Sequence, residues 1–453
     1  MLERIFKLKE HGTTVRTELM AGLTTFMTMA YILAVNPGIL GAAGMDPTAV
    51  LMATCLASFI GSACMALMAN LPFALSAGMG LNAFFAYTVV LGFGYSWQIA
   101  LLAVFIEGLI FIVMSLSGIR EAIFNCIPYE LKQAVSVGIG IFIAFIGLQN
   151  SGLCVDNPAT LVGLVNFADL GNRELCAILT LLGTILTAIL YIKNVKGSIL
   201  LGILATWLIG IACELTGVYV PDPAAKFFSL LPSMSLTDFS KLGLTFGQCF
   251  SFDMSGVSLF NFAVIVLSFL FVDLFDTLGT IIGVSAKAKM LDEKGRLPQI
   301  RPALLADAIA TSAGAVLGTS TTTTFVESSA GVAVGGRTGL TALTTAFLFL
   351  VSMLFAPIFT AIPAFATAPA LIIVGFLMFS NVAQLKMTEE NFYTAIPSYL
   401  CILAMPLFYS ISEGISFGII SYVLICLLCG KSRELNKVMC IIAVLFVLKY
   451  LFL

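Results

Sequence analysis

Three carboxylates lie in apolar segments of the chain, where a charge is costly. Asp273 and Asp276 belong to "FLFVDLFDTLGTIIG", and Glu327 follows the threonine run of "GTSTTTTFVESSAGVAVGG". The i, i+3 spacing places both aspartates on one helix face, with Thr277 one turn after Asp273. A carboxylate at the centre of a bilayer costs roughly 2.5–3.5 kcal/mol even on insertion scales. The three groups therefore predict a shared polar cavity that takes up at least one proton when it closes.

Two of the segments that must position such groups are poorly suited to an unbroken membrane helix. Residues 71–91 contain Pro72, Gly78 and Asn82, and residues 319–335 open with six hydroxyl residues. Runs of β-branched threonines and several glycines weaken helices. Paired broken segments predict a substrate site near the bilayer midplane, where half-helix ends present backbone donors and acceptors. The alternative is that the small residues only allow close helix packing.

The composition is that of a membrane protein. Of the 453 residues, 60% are hydrophobic and 10% are charged, and the mean hydropathy is +1.07. A soluble domain has about 45–50% apolar and about 25% charged residues, so a soluble globular protein is excluded. The long apolar runs favour helices over the short alternating strands of a membrane β-barrel.

The apolar runs predict an all-α polytopic membrane protein with about 14 transmembrane helices. The predicted spans are 20–40, 48–69, 71–91, 97–117, 133–152, 174–192, 198–217, 258–285, 302–318, 319–335, 338–359, 363–384, 394–411 and 413–430. Residues 437–453 are short for a span and carry Lys449, so crossing the membrane and lying at its interface both remain open.

The basic residues agree with this topology. With the N-terminus inside, most of the 22 basic residues fall in inner segments, including Arg120 after the fourth span. The outer loops hold only Arg173, Lys226 and Lys241. Since lysine and arginine accumulate in cytoplasmic loops, we expect a multi-pass protein of the cell membrane with a cytoplasmic N-terminus.

The chain divides into two halves of equal span number. We expect a cytoplasmic segment 1–19, a first seven-span repeat 20–217, an extracellular connection 218–257, a second seven-span repeat 258–430 and an apolar C-terminal segment 431–453. Halves with an odd number of spans must insert in opposite orientations, which predicts an inverted repeat.

The remaining polar residues indicate no metal, cofactor or catalytic centre. Cys426 and Cys429 form a CxxC without a second pair, and His11 lies in the charged N-terminal segment. Glu107 and Asp307 are expected to give structural support to the cavity. The chain has no HExxH, GxSxG or GxxxxGK[ST] motif, so we expect no enzyme and no nucleic-acid partner.

Two other membrane functions are weaker interpretations. An intramembrane aspartyl protease needs its two catalytic aspartates on different helices, whereas Asp273 and Asp276 share one. An ion channel would need a ring of repeated filter residues, which the sequence does not show. A transporter is therefore the favoured class.

Four motifs carry a resemblance to a known family. "TELMAGLTTFMTMAYILAVNP", "LPFALSAGMGLNAFFAYTVV", "FLFVDLFDTLGT" and "GTSTTTTFVESSAGVAVGGRTGLTAL" closely resemble the AzgA-like purine permeases of the nucleobase–cation symporter-2 family. The similarity extends over nearly the whole chain. It implies two inverted seven-helix repeats, with spans one to four and eight to eleven in a core domain and the others in a gate domain. It also implies a homodimer in lipid and an elevator movement of the core.

The resemblance implies a site as well. By position, Asp273 and Glu327 would hold the nucleobase, Asp276 is the second aspartate of the motif, and the segment around Phe325 would supply backbone contacts. We expect a substrate site of Asp273, Glu327, Phe325, Thr277 and Asn82, and a proton-coupling site of Asp276 with Asp273. The aromatic faces of Phe84, Phe85 or Phe325 could stack on the base.

The predicted function is import of a purine nucleobase by proton symport. A carboxylate can accept hydrogen bonds from two N–H groups of a neutral planar base. Hypoxanthine and guanine are favoured; an adenine-specific permease and a small-anion transporter of the same fold are the alternatives. No cofactor is expected beyond the proton, and sodium in its place stays open.

Overall fold

The structure is a computed structural model that describes residues 2–168, 171–222, 227–232, 235–253, 257–292 and 297–452. Lys226 and parts of the predicted 218–257 connection lie outside the described residues. Within the described residues, 11 helices are long and apolar enough to cross a membrane. The predicted all-α membrane fold is therefore confirmed.

The first half contains ten α-helices and three strands among the described residues. They are α1 Leu2–Phe6, α2 Val15–Met29, α3 Ile32–Ala42, α4 Pro47–Cys64, β1 Leu75–Ala77, α5 Met79–Ala83, α6 Trp97–Ser117, α7 Ile119–Cys126, α8 Tyr129–Asn150, β2 Cys154–Asn157, β3 Leu161–Leu164, α9 Asn172–Ile192 and α10 Ser198–Leu215. Wider π-helical turns continue α4 to Ala69 and α5 to Gly92. The first predicted span corresponds to α2 and α3 together.

The second half has the same plan. Its elements are α11 Leu259–Lys287, α12 Ile300–Leu317, β4 Thr322–Thr324, α13 Ser328–Val334, α14 Gly339–Ser352, α15 Ala356–Thr360, α16 Ala364–Phe379, α17 Phe392–Leu407, α18 Ile411–Leu428 and α19 Lys437–Phe452. Each predicted span coincides with one of these helices, except that 319–335 is a strand followed by a short helix and 338–359 covers α14 and α15.

The two broken segments cross each other. β1 pairs antiparallel with β4, in the register Leu75↔Thr324 and Ala77↔Thr322. A run of threonines suits an extended strand better than a helix, and here the pairing satisfies its backbone groups inside the protein. The pairing continues beyond the strands, since the Phe325 N–H donates to the Ala74 carbonyl at 3.0 Å. Each strand then leads into a short helix, α5 or α13, as an inverted repeat requires.

The helices pack as two bodies. The core consists of α2–α6 with α11–α14, and the gate consists of α8–α10 with α16–α18. α5 and α11 of the core face α8 and α18 of the gate, so the crossing strands and their short helices lie close to the boundary. The division between core and gate expected for spans one to fourteen is the one that the contacts show.

The C-terminal helix α19 is an addition to the fourteen elements. It packs on α18, where Lys449 forms an ion pair with Glu413 and a hydrogen bond with Ser412. Its Phe446 ring lies 5.4 Å from that of Phe271 on α11. α19 therefore contacts both the gate and the core.

A buried carboxylate of α2 fixes the beginning of α14. Glu18 has no exposed surface and accepts hydrogen bonds from the backbone N–H groups of Arg337 at 2.9 Å and Thr341 at 3.2 Å. It also accepts from the Thr341 hydroxyl at 2.6 Å. N–H groups at the start of a helix lack partners within the helix, so Glu18 caps α14 from another element and anchors the chain just after α13.

Candidate functional site

Polar side chains collect at the strand crossing in two groups. The crossing cluster consists of Tyr31, Asp276, Thr323 and Glu327. The arginine cluster consists of Glu107, Arg120, Asp273, Thr277 and Asp307. α11 contributes an aspartate to each, so the two clusters are neighbours within the core.

Glu327 occupies the N-cap position of α13, directly after the crossing strand. It is 8% exposed, and its side chain makes no hydrogen bond to the end of its own helix. Its Oε1 instead accepts a hydrogen bond of 2.7 Å from the hydroxyl of Tyr31. Tyr31 lies at the break between α2 and α3, so spans one and ten meet at this bond.

Asp276 approaches the same place from α11. Its side chain is partly exposed, and its Oδ2 accepts a hydrogen bond of 3.3 Å from the Thr323 hydroxyl on β4. Glu327 lies three residues after β4, the strand that carries Thr323. Two acceptor groups on separate elements thus face one location between broken helices.

Asp273 lies in a different environment. Its Oδ2 is 3.2 Å from Nη2 of Arg120, and its Oδ1 accepts a 2.7 Å hydrogen bond from Thr277. The same Arg120 nitrogen is 2.8 Å from Oδ2 of Asp307, and Thr277 is also 3.0 Å from Oδ1 of Asp307. None of these side chains is exposed. The aspartate predicted to hold the base is therefore enclosed by partners within the protein.

Arg120 is held on three sides. Its guanidinium lies 3.8 Å from the centre of the Phe111 ring and donates to the Leu304 carbonyl at 3.3 Å, in addition to its carboxylate contacts. The sequence places Arg120 in an inner segment after the fourth span and contains no sign that its side chain is fully buried, as the structure shows. Its position in α7, beside two buried aspartates, makes burial possible because the charges compensate each other.

Glu107 joins the arginine cluster from α6. Its Oε2 accepts a 2.9 Å hydrogen bond from Thr321, one residue before β4, while Oε1 has no partner in the described part of the chain. With Asp273 and Asp307, which bind Arg120, Glu107 brings the buried carboxylates of the cluster to three for one guanidinium. Glu107 and Asp307 were expected to support the cavity, and both bind residues that position it.

The other predicted site residues lie close by, but most of them already have hydrogen-bond or ring partners within the protein. Asn82 on α5 binds Ser320 through Oδ1, and its Nδ2 has no partner among the described residues. Phe325 is 6% exposed just before α13, and its N–H is used by the strand pairing. Phe84 and Phe85 are buried, with ring centres 4.8 and 6.5 Å from that of Phe269.

Sequence reasoning missed Tyr31 as a site residue. Its position in the motif "MTMAYILAVNP" gives no sign that it faces span ten. Two features could have drawn attention to it: it is a polar aromatic residue inside an apolar span, and the same span contains a proline, Pro37, shortly afterwards. No group of three or more potential metal ligands occurs among the described residues.

The chain is similar to known proteins over nearly its whole length. The family model Xan_ur_permease, which describes a permease family, matches residues 16–417. The chain belongs to this family. The permease is 44% identical over 446 residues to the guanine/hypoxanthine permease PbuO of Bacillus subtilis, with 98% of both chains covered. It is 40% identical over 457 residues to the adenine permease AdeP of Escherichia coli, with 100% of this chain and 96% of AdeP covered.

A solved structure agrees on the fold. The transmembrane domain of the cyanobacterial bicarbonate transporter BicA matches the permease with a TM-score of 0.62 at 16% identity, covering 89% of this chain and 97% of that one. This likeness concerns architecture alone. The predicted membership of the AzgA-like nucleobase permeases is confirmed, and the relatives are transporters rather than enzymes.

Proposed function

We propose that the protein is a secondary active transporter that imports purine nucleobases across the cell membrane by proton symport, with hypoxanthine and guanine as its favoured substrates. One observation carries the proposal: Glu327 and Asp276, two carboxylates from different elements, face one location where two broken spans cross at the boundary of core and gate.

Recognition of the base would rest on Glu327. Purines are neutral and planar and carry adjacent N–H groups, and a carboxylate can accept from two of them. The Tyr31 bond uses Oε1, which leaves further lone pairs of the carboxylate for a base. Asp273 would support the site without binding the base directly, because its oxygens already bind Arg120 and Thr277.

Asp276 is the proposed proton carrier. It is partly exposed, its one hydrogen bond to a described side chain is the 3.3 Å bond from Thr323, and it approaches the crossing that also holds Glu327. Like charges in a site favour protonation of one member, so uptake of a proton here would neutralise the core before it moves past the gate. An elevator movement of the core within a homodimer, with the N-terminus in the cytoplasm, completes the proposal.

Two alternatives are distinguished by substrate. An adenine-specific permease would use the same carboxylates, since adenine also presents N–H groups, and relatives of both kinds are known. A small-anion transporter of the same fold is less compatible with two carboxylates at the crossing, because they would repel an anion.

The test is uptake of radiolabelled hypoxanthine by cells that lack their own purine permeases, with and without an uncoupler. Unlabelled guanine, adenine, xanthine and uracil serve as competitors. We expect uptake that is abolished by the uncoupler and blocked by guanine. Uptake of radiolabelled adenine, measured in parallel, without uptake of hypoxanthine would favour the adenine permease, and uptake of neither purine would refute the proposal.

A further inference from the structure

Tyr31 is the member of the crossing cluster to which the proposed function gives no role. It is 1% exposed, and a buried tyrosine hydroxyl normally has a hydrogen-bond partner. Here the partner is the carboxylate that would hold the base, at 2.7 Å. That distance fits a hydrogen bond from a hydroxyl to a carboxylate.

We propose that Tyr31 is a positioning residue for purine binding: it holds Glu327 in one orientation and in its ionised form, ready to accept from the N–H groups of a base. This inference rests on the proposed function. Tyr31 itself need not touch the base, and its effect is exerted through Glu327.

The local backbone explains how Tyr31 reaches Glu327. α2 ends at Met29 and α3 begins at Ile32, and the break is bridged by tighter turns in which the Leu33 N–H donates to Ala30 and the Ala34 N–H to Tyr31. α13 packs on α2, which leads into this break. The break therefore directs the ring of Tyr31 towards the N-terminal end of α13, where Glu327 lies.

The donor has no substitute nearby. Among the residues that the structure describes, Tyr31 is the one side chain that donates a hydrogen bond to Glu327. Of the other charged groups around α13, Asp276 on α11 is an acceptor bound to Thr323, and Glu18 on α2 is bound to the start of α14. The Arg337 guanidinium donates to the Val332 and Gly336 carbonyls at the far end of α13.

A hydrogen bond to the charged form of an acid favours that form. Removing the Tyr31 hydroxyl should therefore have two effects. The carboxylate loses its fixed orientation, which weakens purine binding, and it becomes protonated more easily, which moves the acid limb of the binding profile to higher pH. Packing of the ring alone would explain neither a pH effect nor a dependence on Glu327.

The experiment measures equilibrium binding of radiolabelled hypoxanthine to the purified full-length protein over a series of pH values. The variants are Tyr31→Phe, Glu327→Gln and the double variant, with Tyr399→Phe at an exposed site as the matched control. We expect Tyr31→Phe to weaken binding about tenfold and to shift the acid limb upward, because one charge-assisted hydrogen bond is lost. In the Glu327→Gln background, Tyr31→Phe should add little further loss.

Fluorotyrosine at position 31 gives a second, independent variant that keeps the hydroxyl. Its more acidic hydroxyl is a stronger donor, so the acid limb should move to lower pH, opposite to Tyr31→Phe. Gel filtration verifies that each variant is folded. Two results would overturn the inference: an equal loss of hypoxanthine affinity from Tyr31→Phe in both Glu327 backgrounds, or an acid limb that neither Tyr31→Phe nor fluorotyrosine moves. Purine binding by the unaltered protein would still uphold the proposed function. Absence of any purine binding by the unaltered protein would overturn both.

Discussion

Asp273 and Asp276 extend from the same helix only three residues apart, yet their carboxylates have different partners. Asp273 binds Arg120 and Thr277 within the arginine cluster, whereas Asp276 binds Thr323 beside Glu327. One acid binds a cation inside the protein, which it shares with Asp307, and the other is partly exposed at the crossing. This difference agrees with the roles that we propose for them, structural support for Asp273 and proton uptake for Asp276.

Replacement of Asp276 by asparagine should separate transport from binding. The substitution Asp276→Asn keeps the size of the side chain but removes its ability to take up a proton. We expect accumulation of hypoxanthine driven by a pH gradient to be lost while binding remains measurable. Uptake into proteoliposomes and equilibrium binding are compared on one preparation. Unchanged proton coupling in this variant would show that the proton is carried elsewhere.

Replacement of Arg120 by methionine should destabilise the fold. It leaves Asp273 and Asp307 buried without their cation, and removing one partner of a buried ion pair costs about 3–5 kcal/mol. Thermal unfolding of the detergent-purified protein should show a markedly lower midpoint, and Asp307→Asn in the same chain should restore part of it. The exposed Arg16→Met is the control. Equal midpoints for the two methionine variants would contradict this role for the cluster.

Gly331 on α13 allows the close approach of α2. A Cβ at this position would lie 2.1 Å from Oγ1 of Thr25 and 2.7 Å from the Ala21 carbonyl oxygen. Gly331→Ala should push α13 away from α2 and so separate Glu327 from Tyr31, with a fall in hypoxanthine affinity of about tenfold or more if that bond breaks. Gly38→Ala, where a Cβ meets no atom within 4 Å, should bind normally. Normal affinity in Gly331→Ala would argue against a need for this contact.

The Glu18 cap predicts a stability effect without a loss of recognition. In Glu18→Gln an NH₂ group would face the N–H groups of Arg337 or Thr341, which costs about 1–3 kcal/mol when the donors lose their acceptor. The unfolding midpoint should fall relative to the exposed control Glu390→Gln, while the folded fraction still binds hypoxanthine. A midpoint equal to that of the control would show that the cap contributes little.

The fold was predictable from the sequence because its signals are local. Apolar runs, basic loops and two broken segments each arise within about 20 residues, and the bilayer imposes the rest. The strand pairing of Ser76 with Thr323 was not predictable, since it joins residues far apart in the chain. The spacing of Asp273 and Asp276 was visible, but their different partners depend on Arg120 and Thr323, which come from other elements.

The same limit explains why the burial of Arg120 and the position of Tyr31 were not predicted. Arg120 follows a glycine at the end of a span, where a basic residue normally marks a cytoplasmic loop. Only the packing of α7 in the folded chain shows that Arg120 lies beside two buried aspartates. Tyr31 belongs to the site because a break between helices directs it there, and sequence alone does not give that direction.

The most direct test of the account is hypoxanthine accumulation by the purified protein in proteoliposomes under an imposed pH gradient, acidic outside. We predict accumulation that collapses with an uncoupler, that is lost in Glu327→Gln and that persists in Glu389→Gln, whose side chain is exposed. Accumulation by Glu327→Gln equal to that of the unaltered protein, or no accumulation of any purine, would contradict it.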